Sequence, residues 1–184
     1  MMNRMSDITI GEGQVFMDNK VIIRFYQDTY REQIAELIVN IQRNEYQIPI
    51  SQEDQPDLAN IREFYQHGNG NFWVALHGDK VVGTIALLDI GNEQTALRKM
   101  FVASDYRGKT YRTAQLLLQE ALQWAEEHQI RQIYLGTTEQ FKAAHRFYEK
   151  NEFVPVTMDQ LPEKFPVMQV DTRFYCRNYQ ALMT

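Results

Sequence analysis

The chain has 184 residues, enough to bury one sizeable core, and its 44% hydrophobic and 23% charged residues are those of an ordinary globular protein. A net charge of −5 at pH 7 opposes non-specific nucleic-acid binding, and no apolar run approaches the roughly 20 residues that span a bilayer. The single cysteine, Cys176, excludes an internal disulfide; with an amino terminus that lacks the apolar stretch of a secretory signal, it fits a reducing cytoplasm.

Residues 1–20 are polar and glycine-containing and read as an extension, with a weak strand near residues 7–10; the domain is expected over 21–184. "VIIRFY" (21–26) is a β-rich run. A helix follows, carrying Ile34, Leu37, Ile38 and Ile41 at helical spacing, with Asp28 placed to cap it. The turn-rich "IPISQEDQPDL" leads to a second helix bearing Leu58, Ile61, Phe64 and Tyr65, closed by "HGNGN". "FWVAL" and "VVGTIALLDI" flank the tight "HGDK" connection as a hairpin, and "TALRKMFV" adds a third sequential strand after "GNEQ".

The loop "ASDYRGK" then enters the most regular helix, with Ala114, Leu117, Leu118, Ala121, Leu122 and Ala125 as its apolar stripe. "IRQIYLG" reads as a buried strand and "TTEQFKAAHRFYEKNEF" as a helix, with Thr137 and Gln140 spaced as a capping box. "FVPVTM" and "DTRFYCRNY" are the last strands, separated by the Pro-bearing "DQLPEKFP". The order βααβββαβαββ predicts a mixed α/β, α+β single domain. Its sheet is mostly antiparallel, with one parallel pair where a crossover helix intervenes.

Two features carry chemistry. The first is the loop feeding the helix after "MFV". A first helical turn offers unpaired N–H groups and partial positive charge, so a strand, an Arg-Gly-Lys loop and a helix make an anion site, with Arg107 and Lys109 adding cations. The competing reading is an ordinary solvated basic loop. The second is Tyr148, which shares a helix face with Phe141, Ala144 and His145. Read from spacing alone it is a core tyrosine, and His145 a structural histidine; no Cys/His cluster at ligand spacing suggests a metal.

Residues 97–153 resemble the core of the GCN5-related N-acetyltransferases, and the element order on either side resembles that family over nearly the whole domain. The family's acetyl-CoA motif is Gln/Arg-x-x-Gly-x-Gly/Ala after a strand ending in Val. Here Val102 ends the strand and Arg107 fills the first position, whereas the two small-residue positions hold Thr110 and Arg112. The resemblance implies cofactor contacts from Arg107, Gly108, Lys109, Thr110, Tyr111 and Arg112. It implies further contacts from Met100, Phe101 and Val102, whose backbone N–H groups would face the thioester oxygen, and from Phe141, where the family often has Asn. It also makes Tyr148 the acid that protonates the departing CoA thiolate, a task suited to a phenol that stays protonated at neutral pH.

The activity implied is transfer of acetyl from acetyl-CoA to a primary amine, either a small amine or an N-terminal or lysine amine, by direct attack. No carboxylate identifies itself as the base; Glu45 and Glu93 are the candidates, beside a water chain. Glu53, Asp54, Asp57, Tyr46, Phe72 and Trp73 suggest an acidic and aromatic acceptor lining suited to a cationic amine. The alternative is a non-catalytic module of the same fold, sensing acyl-CoA or working by protein contact. Thr110, Arg112 and Phe141 motivate that alternative, while Tyr148 and the basic loop oppose it. The amino-terminal segment and late strands are compatible with a homodimer.

Overall fold

A computed structural model describes residues 20–179; the strand expected near residues 7–10 lies outside them. Alternation along the second strand, β2 (Asn71–His77), sets the architecture, because successive side chains point to opposite faces. Phe72 and Val74 pack with Ile34, Ile38, Leu58 and Ile61 on one face. Trp73 and Ala75 pack with Leu117, Leu118 and Ala121 on the other. Phe72 and Trp73 are therefore buried core residues of two different clusters, and neither lines the acceptor side as anticipated.

The remaining elements follow the expected order, with the second helix split in two. They are β1 (Ile22–Phe25), α1 (Arg31–Asn40), α2 (Pro56–Ala59), α3 (Ile61–Tyr65), β3 (Lys80–Asp89), β4 (Gln94–Val102), α4 (Thr113–Glu127), β5 (Gln132–Thr137), α5 (Lys142–Lys150), β6 (Val154–Val156) and β7 (Arg173–Asn178). Pro56 opens α2, and Asn60, at φ −133° and ψ 51°, breaks it from α3. One seven-stranded sheet results, in the order β1-β2-β3-β4-β5-β7-β6, antiparallel except between β4 and β5. Helices α1–α3 cover one face and α4 the other, where Tyr148 of α5 joins the same cluster. Leu117 and Leu118 are fully buried, and each such side chain contributes about 1.5–3 kcal/mol.

Gly83 lets α4 approach this closely: a Cβ there would lie 3.0 Å from Leu117 Cδ1 and 3.1 Å from the Phe101 carbonyl oxygen. A third cluster forms where the connector between β6 and β7 folds back, setting Phe165 among Tyr134, Phe174 and Cys176.

Two expected caps are displaced. Asp28 lies in a 3-10 turn, Asp28–Tyr30, that precedes α1, so the N-cap position is Tyr30 without a side-chain cap; Asp28 instead pairs with Arg62 at 3.1 Å. Thr137 ends β5, and α5 starts at Lys142 behind Phe141, so Thr137 and Gln140 are out of phase with that helix. A capping box does occur, at Thr157 and Gln160, before the 3-10 turn Met158–Gln160.

Candidate active site

Parallel pairing of β4 with β5 covers only Gln94–Ala96 against residues 132–134. Beyond it the strands part, and residues 97–102 of β4 and Gly136 and Thr137 of β5 line a cavity of about 420 Å³. A bulge in β4 shapes the opening. Thr84 faces Phe101 while Ala86 faces Arg98, so β4 carries one extra residue. Lys99, within the bulge, adopts φ 53°, and its carbonyl accepts the Thr84 hydroxyl at 2.6 Å. Met100, Phe101 and Val102 line the cavity.

Tyr148 reaches the same cavity from α5. Its ring is buried against Phe153, and burial pushes its phenol up, so the proton is held throughout the neutral range. His145, one turn earlier on α5, points elsewhere. One ring nitrogen, Nε2, lies 2.7 Å from the Thr138 carbonyl and the other, Nδ1, 3.3 Å from Arg173 Nη1. A carbonyl only accepts and a guanidinium only donates, so Nε2 serves as the donor to Thr138 and Nδ1 as the acceptor from Arg173. It is a structural bolt between α5 and β7.

Arg107 lines the cavity, with its Nε donating to the Val102 carbonyl at 2.8 Å and its Nη2 2.7 Å from Glu45. Residues 108–112 run between Arg107 and Ala114, both of which line the cavity. Gly108 is at φ 88° with open space where a Cβ would stand, and Lys109 and Thr110 are exposed in the turn. Tyr111 packs its ring on Tyr106 and His77, leaving backbone rather than ring to the turn.

Arg112, immediately before α4, is left-handed at φ 54° and ψ 32°. For a residue with a side chain that conformation costs about 1–2 kcal/mol. Arg112→Gly is expected to raise the melting temperature by a few degrees, since about 1 kcal/mol moves a chain of this size roughly 2–4 °C. Thermal unfolding monitored by circular dichroism checks it, and a lower melting temperature contradicts the strain.

The opposite wall comes from the end of α1. Ile41–Glu45 is wound as a π-turn, with the Tyr46 N–H reaching the Ile41 carbonyl. This rewinding puts Ile41, Gln42 and Tyr46 on the cavity and sets the Tyr46 ring edge-on to Phe141, 4.3 Å between centroids. Phe141 lines the cavity too, so this position presents an aromatic ring.

The two candidate bases fare differently from expectation. Glu93 stands in the β3–β4 turn, paired with Arg131, and does not line the cavity. Glu45 lies beside it but is held by Arg107. Of the acidic connector, Glu53 and Asp54 are exposed and outside the cavity; the Asp54 carboxylate is spent on the Ser51 N–H and hydroxyl, which hold it low. Asp57 is buried and neutralised.

The neutralising partner is Lys99, a residue that sequence reasoning left without a role. Its Nζ is 3.3 Å from Asp57 Oδ2 and donates to Gln55 Oε1 at 2.7 Å; Tyr65 donates its hydroxyl to the same Asp57 oxygen at 2.6 Å. Gln55 and Gln42 exchange amide hydrogen bonds beside it. Burial outweighs the pull of Asp57 and brings the Lys99 ammonium down to about 8. Asp171 is the second missed residue. It is a cavity-lining carboxylate from the connector before β7, raised by burial and accepting the Met168 N–H at 2.9 Å.

The model of the acetyltransferase (GNAT) family matches residues 35–153 of the chain. An N-acetylaspartate synthetase from Xenopus tropicalis is 40% identical over 101 residues, 53% of this chain and 36% of that protein, so the match spans about a third of the relative's length. A GNAT-family acetyltransferase structure from Staphylococcus aureus Mu50 superposes with a TM-score of 0.82 at 40% identity, covering 86% of this chain and 98% of that one. The PaiA N-acetyltransferase of Thermoplasma acidophilum, solved with coenzyme A, shares the fold at 18% identity, with a TM-score of 0.67 over 87% of this chain and 99% of that one. With the family model spanning most of the chain and a full-length structural relative at 40% identity, the chain belongs to the acetyltransferase (GNAT) family.

Proposed function

We propose that the protein transfers an acetyl group from acetyl-CoA to the primary amine of a small molecule, with Tyr148 as the acid toward the leaving thiolate. The observation that carries this reading is one cavity shared by a protonated phenol, the splayed backbone of Met100–Val102 and the guanidinium of Arg107. The residues fit the cofactor. Open space surrounds Gly108, the first turn of α4 has N–H groups without helical partners, and the hydroxyl of Thr138, a cavity residue, is buried without a partner among the described residues.

Acetyl-CoA supplies an acyl group already activated on a thiol leaving group. Arg107 and the backbone of 108–112 would hold its anionic phosphates, with Glu45 giving way at the guanidinium. Backbone N–H groups of Met100–Val102 would stabilise developing negative charge on the carbonyl oxygen, and Tyr148 would donate to sulfur. A coenzyme A complex of a protein sharing the fold, and a relative named for synthesis of an N-acetylated amino acid, support the reading.

Thermal melting with acetyl-CoA tests the first half. Ligand at 100 times its Kd adds about 2.7 kcal/mol of stability. Release of free CoA thiol with a panel of amines tests the second, and no melting shift at millimolar ligand sinks the proposal.

A further inference from the structure

The cavity is lined from both faces of the sheet, and the two faces differ in chemistry. Alternation along the strands separates them. Leu97, Ile133, Leu135 and Tyr175 pack with α4 and Tyr148, whereas Ala96, Tyr134, Phe174 and Cys176 pack with Phe165. The connector that carries Phe165 therefore lies on the face opposite α4, the one that α1–α3 also cover. Ala114 and Tyr148 line the cavity from the α4 face. Ile48 and Ile50, after α1, and Phe165, Pro166, Met168 and Val170, before β7, line it from the other.

On that second face the polar lining is already engaged within the protein. Gln55 uses its whole amide: Nε2 donates to Gln42 and to the Ser51 carbonyl, and Oε1 accepts from Gln42 and Lys99. Lys99 also pairs with Asp57 at 3.3 Å. The Arg98 guanidinium is covered by the Phe64 and Tyr65 rings, at 5.9 and 6.0 Å, and by the Met168 sulfur at 3.6 Å. Asp171, seated against bare Gly136, accepts the Met168 N–H and lies in the field of Arg98. What is left for a ligand is apolar. Ile48 and Ile50 are half-buried, and Val167, Met168 and Val170 stand exposed within four residues of one connector. Uncovered apolar side chains clustered beside a cavity mark a binding surface.

We infer that the acceptor is a primary amine on an uncharged apolar body, an alkyl or aryl group seated between Ile48 and Ile50 on one side and Met168 and Val170 on the other. This rests on the acetyl-transfer reading and names its substrate class. A carboxylate or second ammonium on that body would be buried without a free partner, at a cost that apolar contact does not offset. The same surroundings disfavour the charged form of the reacting nitrogen and so favour the free amine, which is the form that attacks. The ammonium gives one proton to solvent, and its lone pair forms the C–N bond to the acetyl carbon. The C–S bond breaks with its electron pair on sulfur, which takes the phenol proton of Tyr148. The second proton lost by nitrogen restores the phenol. One ammonium and one thioester thus give one amide, one thiol and one proton.

The test is a series of straight-chain primary amines from ethylamine to octylamine, with 2-phenylethylamine set against phenylalanine, which adds a carboxylate to the same body. On the full chain, kcat/KM is expected to rise about 3- to 4-fold per methylene until the cavity is filled. 2-Phenylethylamine is expected to exceed phenylalanine by about 10-fold or more. Val170→Asn, at an exposed position outside the core, is expected to flatten the methylene slope. Calorimetric binding of N-acetylalkylamines to the CoA-bound protein gives the same series without turnover. A flat series, or equal or better use of phenylalanine, overturns the inference while leaving acetyl transfer standing. A slope that Val170→Asn leaves unchanged overturns it too, as does CoA binding with no alkylamine bound or turned over. Failure to bind CoA at all removes the acetyl-transfer reading beneath it.

Discussion

Replacing Tyr148 by phenylalanine is expected to lower kcat by a factor on the order of 10² or more, with cofactor affinity and melting temperature close to those of the parent. The ring is what packs against Phe153 and Tyr175, and the substitution keeps it. Only the hydroxyl is lost, together with the proton that burial keeps in place. Stopped-flow detection of thiol release, alongside acetyl-CoA titration by calorimetry, separates the two quantities. Unchanged turnover would remove Tyr148 from the chemistry, and a fall in affinity without a fall in kcat would make it a binding residue.

The second large effect is on stability. Asp57→Ala leaves the Lys99 ammonium buried without its carboxylate and the Tyr65 hydroxyl without its acceptor. Breaking a buried pair from one side costs about 3–5 kcal/mol, a fall of roughly 6–20 °C in melting temperature for a chain of this size. The double replacement Asp57→Ala with Lys99→Met recovers part of the loss, because no buried charge is then left unpaired, while the Tyr65 hydroxyl still lacks its acceptor.

The pair also leaves a signature in pH. Lys99 is brought down on folding from 10.5 to about 8, so below pH 8 the lysine is charged in both states and contributes no slope. Between pH 8 and 10.5 the unfolded chain binds more protons, so this lysine makes stability rise with pH, by about 3 kcal/mol at most. Urea unfolding across that window reads the slope, which Lys99→Met abolishes; a slope of opposite sign in the parent would contradict the burial of the ammonium.

The architecture was legible because β2 and β3 are short β-rich runs, buried on both faces and bounded by turn residues, and α4 carries a 3.6-residue apolar stripe. Tyr148 and Met100–Val102 were singled out through family resemblance rather than pattern, since helical spacing alone makes Tyr148 a core residue. The caps failed for a local reason: a 3-10 turn ahead of α1 and an irregular stretch ahead of α5 shift each helix start past the residue chosen to cap it. Lys99 and Asp171 were beyond local reading. A bulge in β4 is fixed by its register with β3, 15 residues distant at the Thr84–Lys99 bond. Asp171 matters only because the connector before β7 folds against Gly136, which in sequence is one more glycine at a strand end. The acidic lining was misread because Asp57 carries no mark of the lysine that neutralises it.

The short β4–β5 seam has a consequence for engineering. Three residue pairs join one half of the sheet to the other, so the ladder does little to fix how far apart the two strands stand at the open end. That spacing is inherited from the helices laid across the junction, where Leu117, Leu118, Tyr148 and Phe153 share one densely packed cluster with Leu97 and Leu135. The gauge of the reaction chamber is thus a property of the core behind it. Changing the volume of a leucine on α4 re-dimensions the chamber without touching a residue that faces it.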